Sequence, residues 1–209
     1  SMWERGWSFI KRAGTIILLS TIILWFLSNF GFADGGFGWV EDSDASLLAA
    51  VGSVIAVIFI PLGFGNWQAA VATITGLIAK EEVVSTMQVF YPGDLIANIA
   101  MAFTAASAYS FMVFNLLCAP CFAAMGAIKR EMNNAKWTWA AIGYMCGFAY
   151  VASLIVYQLG GLFTGAVTFG VWTVVALAAL AAIIYLLVRK GYQGEDRSRQ
   201  LSSVAAAAR

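Results

Sequence analysis

Two clusters of reactive side chains lie inside otherwise apolar sequence. The first is Lys80-Glu81-Glu82, in a stretch covering residues 67–90 that has no other charge. A charge at membrane depth costs about 2.5–3.5 kcal/mol on insertion scales, so such residues tend to face a polar cavity and serve a function. Carboxylates there can coordinate a cation or carry a proton. The plainer reading is an ion pair between Lys80 and a glutamate at a helix break, or a lysine snorkelling to the interface. On one continuous helix the three side chains point about 100° apart and cannot share one cavity. Glu82 then falls on a stripe with Thr75 and Thr86, and Glu81 on a neighbouring stripe with Ser85.

The second cluster is Cys118-Ala119-Pro120-Cys121. In a soluble βαβ setting this spacing suggests a redox pair, a context the hydrophobic surroundings do not supply. Structural zinc takes four ligands, and the chain has only one such pair and no histidine. Pro120 has no N–H, so it frees a carbonyl and breaks the helix. Cys121 beside that break is a candidate ligand for a borderline-soft divalent ion such as Fe²⁺. Met125, Asn115 and Met112 flank it, and Cys118 is a second candidate. The alternative is that these cysteines fill space as small apolar residues, the reading adopted for Cys146. Asn66, Gln68, Asn98, Ser107, Ser110, Tyr144, Tyr150 and Gln158 are expected in interhelical hydrogen bonds. There is no GxxxxGK[ST] loop, no Ser/His/Asp set and no HExxH, so the chain is read as not an enzyme.

The elements that must position these residues follow from composition. Of 209 residues, 61% are hydrophobic and 11% charged, against roughly 25% charged in soluble domains. The runs are long and unbroken, which predicts an all-α integral membrane protein with the lipid bilayer as its solvent. A net charge of +1 without a basic patch gives no reason to expect nucleic acid. The three cysteines lie in apolar segments and form no extracellular disulfide framework.

Apolar segments cover 13–30, 46–62, 67–90, 95–128, 137–159 and 166–188. An amphipathic lead-in at 3–10 precedes them, and an acidic loop with Asp34, Glu41, Asp42 and Asp44 follows the first. The 34-residue run 95–128 exceeds what about 30 Å of hydrocarbon requires, so it must tilt, overshoot or break, with Pro120 the expected break. Gly76 marks a possible second discontinuity. If 67–90 crosses, every basic cluster lands on one side, which predicts six crossings with both termini cytoplasmic. Three regions result: 1–45 (lead-in, first transmembrane helix and acidic outer loop), 46–188 (transmembrane domain) and 189–209 (cytoplasmic tail). Ser1-Met2 is not the start of a signal peptide, and the abrupt beginning suggests a piece of a longer protein. No internal repeat is visible; if this is half of a paired-repeat transporter, the partner half lies elsewhere.

The residues resemble a known family. Pro61-Leu62-Gly63-Phe64, Trp67, and Thr75-Gly76-Leu77-Ile78-Ala79-Lys80-Glu81 with Val83-Val84 and Thr86 are similar to the carboxy-terminal membrane region of bacterial ferrous iron transport protein B. So are Phe111-Met112-Val113-Phe114-Asn115-Leu116-Leu117 with Pro120-Cys121, Phe9–Ile16, and Tyr157-Gln158. The resemblance covers about residues 3–160 and implies a linker helix plus a second gate segment in the bacterial inner membrane. It further implies Fe²⁺ as substrate, no permanently bound cofactor, and GTP with Mg²⁺ only through an amino-terminal GTPase domain outside this chain. The implied partners are that domain, a first gate half and a small cytosolic accessory protein; homo-oligomerisation is a further possibility. The family's pathway cysteine falls on Cys121, and its lysine and glutamate on Lys80 and Glu81. Cys118 and Glu82 are not carried over. Two other readings stand beside this one: a membrane interaction or dimerisation module in which Lys80 and Glu81 form a structural ion pair, and a gate for a nucleoside or another small solute.

Overall fold

Inside a bilayer each backbone N–H and C=O needs a partner within the protein, so every place where a helix stops must be paid for by side chains. The ends of the helices organise this fold accordingly. A computed structural model describes residues 2–33, 36–40, 43–80, 82–91 and 93–189. The helices are α1 (Met2–Asn29), α2 (Leu47–Phe59), α3 (Trp67–Ile78), α4 (Glu82–Phe90), α5 (Leu95–Ala102), α6 (Ala105–Leu117), α7 (Phe122–Met132), α8 (Ala135–Thr164) and α9 (Val171–Val188). Five of them start on a side-chain oxygen that accepts a free N–H of the first turn, the usual work of Ser, Thr, Asp and Asn: Ser46 for α2, Asn66 for α3, Asp94 for α5, Thr104 for α6 and Asn134 for α8.

The helical membrane class expected from composition is what the chain adopts. Several details differ. The lead-in and the first apolar segment form one continuous 28-residue helix, α1. The acidic loop carries a two-stranded antiparallel ribbon, β1 (Phe30–Ala33) and β2 (Gly36–Trp39), pairing Phe30 with Trp39. Of its acids, Asp34, Glu41 and Asp42 lie outside the described residues, and Asp44 accepts the Trp67 indole N–H at 2.8 Å. The tail 190–209 also lies outside them.

The largest difference concerns 67–90. This stretch does not cross as one helix. The Trp67 and Phe90 rings stand 4.8 Å apart, and the Thr75 and Thr86 hydroxyls 3.0 Å apart, whereas a straight helix would separate the first pair by about 35 Å. The chain folds back, with its tip after Ile78. Gly76 is therefore not the break but what permits it: a Cβ there would lie 2.6 Å from Val83 Cγ2, so only glycine lets α4 lie against α3. The count of six crossings, and the one-sided placement of basic clusters, assumed that 67–90 spans, and the fold-back removes that support. Among the described residues α8 and α9 are long and apolar enough to cross. The number rises to four if the bent pairs α2–α3 (98°) and α5–α6 (101°) each count as a span.

The run 95–128 breaks twice: at Phe103-Thr104, which hydropathy alone does not reveal, and at Pro120 as expected. α6 runs antiparallel to α8 at close range through small residues. A Cβ on Gly160 would meet Ala106 Cβ at 3.8 Å, and the Ser110 and Ser153 hydroxyls are 2.7 Å apart. Beside this pair, Phe59, Phe64, Phe111 and Phe114 form an aromatic cluster with centroids 5.2–6.0 Å apart. The outward faces are apolar, with Phe163 at 89% and Leu187 at 79% exposure, as lipid contact requires.

Candidate functional site

Pro120 determines the local structure of the site. In a continuous helix the carbonyl of Leu116 would accept the N–H of residue 120, and proline has none. α6 therefore ends at Leu117, Cys118 is its last capping residue, and α7 restarts with Cys121 as N-cap. The two cysteines bracket the break. The orphaned Leu116 carbonyl finds a donor in Lys80, whose Nζ approaches it to 3.1 Å. The tip of the α3–α4 hairpin is thereby brought to the break in α6–α7, joining two regions about 40 residues apart in sequence.

This contact changes the reading of Lys80. Its described partner is a main-chain carbonyl rather than a glutamate. Glu81 lies outside the described residues. Asn115 is half-buried one turn before Cys118; its amide N–H₂ donates to Phe111 O at 2.9 Å, and its Oδ1 would lie 3.5 Å from a Cβ built on Gly76. Cys121 is half-buried, its carbonyl accepting the N–H of Met125 at 2.9 Å. Met125 packs against the core one turn on. Met112 is 54% exposed on α6 and is not drawn into the junction.

Glu82 opens α4 and lines a separate cavity of about 220 Å³ between α1 and the hairpin, together with Thr21, Ser28, Thr75, Ser85 and Thr86. The polar stripe expected of Thr75, Glu82 and Thr86 exists, but the fold-back creates it rather than helical spacing.

Sequence reasoning missed Cys146. Its Sγ lies 3.6 Å from that of Cys118, linking the break to α8. Nothing in the local sequence signals this, because the partners are 28 residues apart on antiparallel helices. Cys146 stands about 16 Å along the roughly 45 Å axis of α8, placing the break about 5 Å from that helix's midpoint. Among the described residues no three Cys, Asp or Glu side chains converge on one point. The junction thus offers a thiol, main-chain carbonyls and an amide: a partial ligand set rather than a closed structural metal site.

A family model described as "Gate: Nucleoside recognition" matches residues 10–135. The chain belongs to the Gate family. The chain is also similar to the Fe(2+) transporter FeoB of Staphylococcus aureus strain COL, 40% identical over 166 residues, covering 78% of this chain and 24% of that protein. The Fe(2+) transporter FeoB of Methanocaldococcus jannaschii is 37% identical over 170 residues, covering 77% and 25%. A Porphyromonas gingivalis protein named as a fusion of Fe(2+) transport protein A with Fe(2+) transporter FeoB is 27% identical over 210 residues, covering 78% and 25%. This Gate chain spans about a quarter of the length of these curated relatives, and no solved structure matches it. The resemblance to the membrane region of ferrous iron transport protein B is thereby borne out.

Proposed function

We propose that this chain forms half of an Fe²⁺ translocation pathway, with the ion passing the junction between the α3–α4 tip and the α6–α7 break. The contact of Lys80 with the Leu116 carbonyl supports this reading, because it brings the α3–α4 tip to the break beside Cys121. A thiol and a carboxylate together suit a borderline ion. An incomplete ligand set suits conduction, where an ion must bind well enough to enter and weakly enough to leave. Cys121 and Glu81 line the path; Asn115 and Met125 support it. In the intact protein, transport is coupled to or regulated by GTP hydrolysis in a cytosolic domain. A first gate half completes the path, and a small accessory protein assists, as the fused relative's name suggests.

The test is Fe²⁺ uptake by the intact transporter in membrane vesicles, comparing Cys121→Ser and Glu81→Gln with wild type at matched expression. Both are expected to lose most uptake. Wild-type uptake in both would end the site assignment. The description of the family model supports a second reading, a nucleoside as cargo. Retention of a nucleoside without any Fe²⁺, Mn²⁺ or Zn²⁺ in a binding comparison would replace the first reading with the second.

A further inference from the structure

The junction contains a thiol pair that ion coordination by Cys121 does not use. Cys118 is the capping residue at the end of α6, 8% exposed, and Cys146 is half-buried on α8. Their sulfurs touch at 3.6 Å. The CxxC spacing suggests Cys118 and Cys121 as partners, yet the fold sets Cys118 against Cys146 instead.

We propose that Cys118 and Cys146 form a reversible disulfide, made by hydrogen peroxide or another small two-electron oxidant, that clamps the helix break to α8 and closes the pathway. Three observations support it. The sulfurs need to approach by only about 1.5 Å to reach bonding distance. The helices that carry them already lie at close range, as Ala106 against Gly160 and Ser110 against Ser153 show. Cys118 is also the C-cap of α6: its N–H makes the last regular bond of that helix, to Phe114 O at 2.8 Å, and the chain leaves the helix directly after it, so the thiol sits at a helix end rather than inside a turn that would have to break.

The chemistry balances. The more accessible sulfur, Cys146, attacks peroxide as thiolate; the O–O bond breaks, water leaves and Cys146 becomes a sulfenic acid. Cys118 then attacks Cys146 Sγ, the S–O bond breaks, and a second water departs with the remaining proton. Two thiols and one peroxide yield one disulfide and two waters. A dithiol reductant reverses the bond by exchange. Such a clamp has a chemical rationale, because Fe²⁺ and peroxide together generate hydroxyl radicals, and closing the path under peroxide keeps them apart.

The effect on transport rests on the reading of the junction as a pathway; the bond itself does not. The experiment uses the intact protein in membrane vesicles, exposed to hydrogen peroxide, with thiols then blocked and the non-reduced digest mapped by mass spectrometry. A Cys118–Cys146 linked peptide is expected, with Fe²⁺ uptake falling in proportion to linkage and returning on dithiothreitol. Cys146→Ser, and Cys146→Ala as a second variant, should transport like untreated wild type and resist peroxide. A Cys118–Cys121 link, or no link while other thiols oxidise, overturns the proposal. So does full linkage with unchanged uptake, or equal peroxide sensitivity in the Cys146 variants. If untreated wild type takes up no Fe²⁺, the transport reading fails, and the linked peptide still decides whether the bond forms.

Discussion

Of the places where the described helices are interrupted, two are finished in opposite ways: the turn between α2 and α3, and the break between α6 and α7. At the turn between α2 and α3, three carbonyls near the end of the helix receive a fixed side-chain donor from a neighbouring helix, and the Ile60 carbonyl accepts the Gly63 N–H. Tyr150 donates to Ile58 O at 2.9 Å, Gln158 to Pro61 O at 3.0 Å and Ser110 to Leu62 O at 2.8 Å, while Thr173 holds the far side of Gln158 at 3.1 Å. Leu62 and Phe64 are almost wholly enclosed. At the α6–α7 break, among the described residues, the Leu116 carbonyl is met by the end of a long, exposed lysine, and the Cys118 thiol by the thiol of Cys146, a weak partner. A buried polar network with every member satisfied rigidifies a structure. The first interruption is a joint built to stay still. The second is held by contacts that exchange easily, which suits the ion passage proposed for it.

Four substitutions break or sharpen this contrast. The largest effect belongs to Gly63→Ala. Gly63 has φ +85, and an added Cβ would lie 2.0 Å from the Tyr157 ring, so both strain and overlap predict a loss of about 3 kcal/mol or more. Thermal unfolding in detergent measures it, and an unchanged midpoint would show that the joint is not rigid. Next is Gln158→Leu, which strips the donor from the Pro61 carbonyl and should cost about 1–3 kcal/mol, read in the same assay. Pro120→Ala restores the N–H that Leu116 lacks. Amide exchange across 118–121 should slow by about tenfold, roughly 1.4 kcal/mol of local stability, while uptake falls. Unaltered exchange would mean that proline does not cause the break. The smallest stability effect is expected for Lys80→Met: no resolvable change in unfolding, but several-fold lower uptake. A large stability loss there would make the two interruptions alike and favour the interaction-module reading.

Much of this was legible in the sequence where one residue dictates one backbone event. Pro120 must break a helix wherever it falls, whereas the charges at 80–82 were read as lying on a segment that crosses. Ser110, Tyr150 and Gln158 were expected in interhelical hydrogen bonds and are found there. The fold-back of α3 on α4 was not legible, because hydropathy is the same for one long helix and for two short ones laid side by side. Only Gly76 distinguishes them, through its contact with Val83. The pairing of Cys118 with Cys146 was hidden for a related reason: it depends on the register between α6 and α8, which no local pattern encodes. Glu82 shows the converse, a correct grouping with Thr75 and Thr86 reached through the wrong geometry.

The position of the break along α8 has an electrical consequence. If α8 spans the bilayer, an ion resting about 5 Å from its midpoint has crossed close to half of the membrane potential. Moving one elementary charge through 100 mV is worth about 2.3 kcal/mol. A divalent ion reaching the break from the positive side of the membrane would therefore gain about that amount per 100 mV before meeting any ligand. Occupancy of the break should then track membrane voltage, and an inside-negative potential would itself draw cations into it.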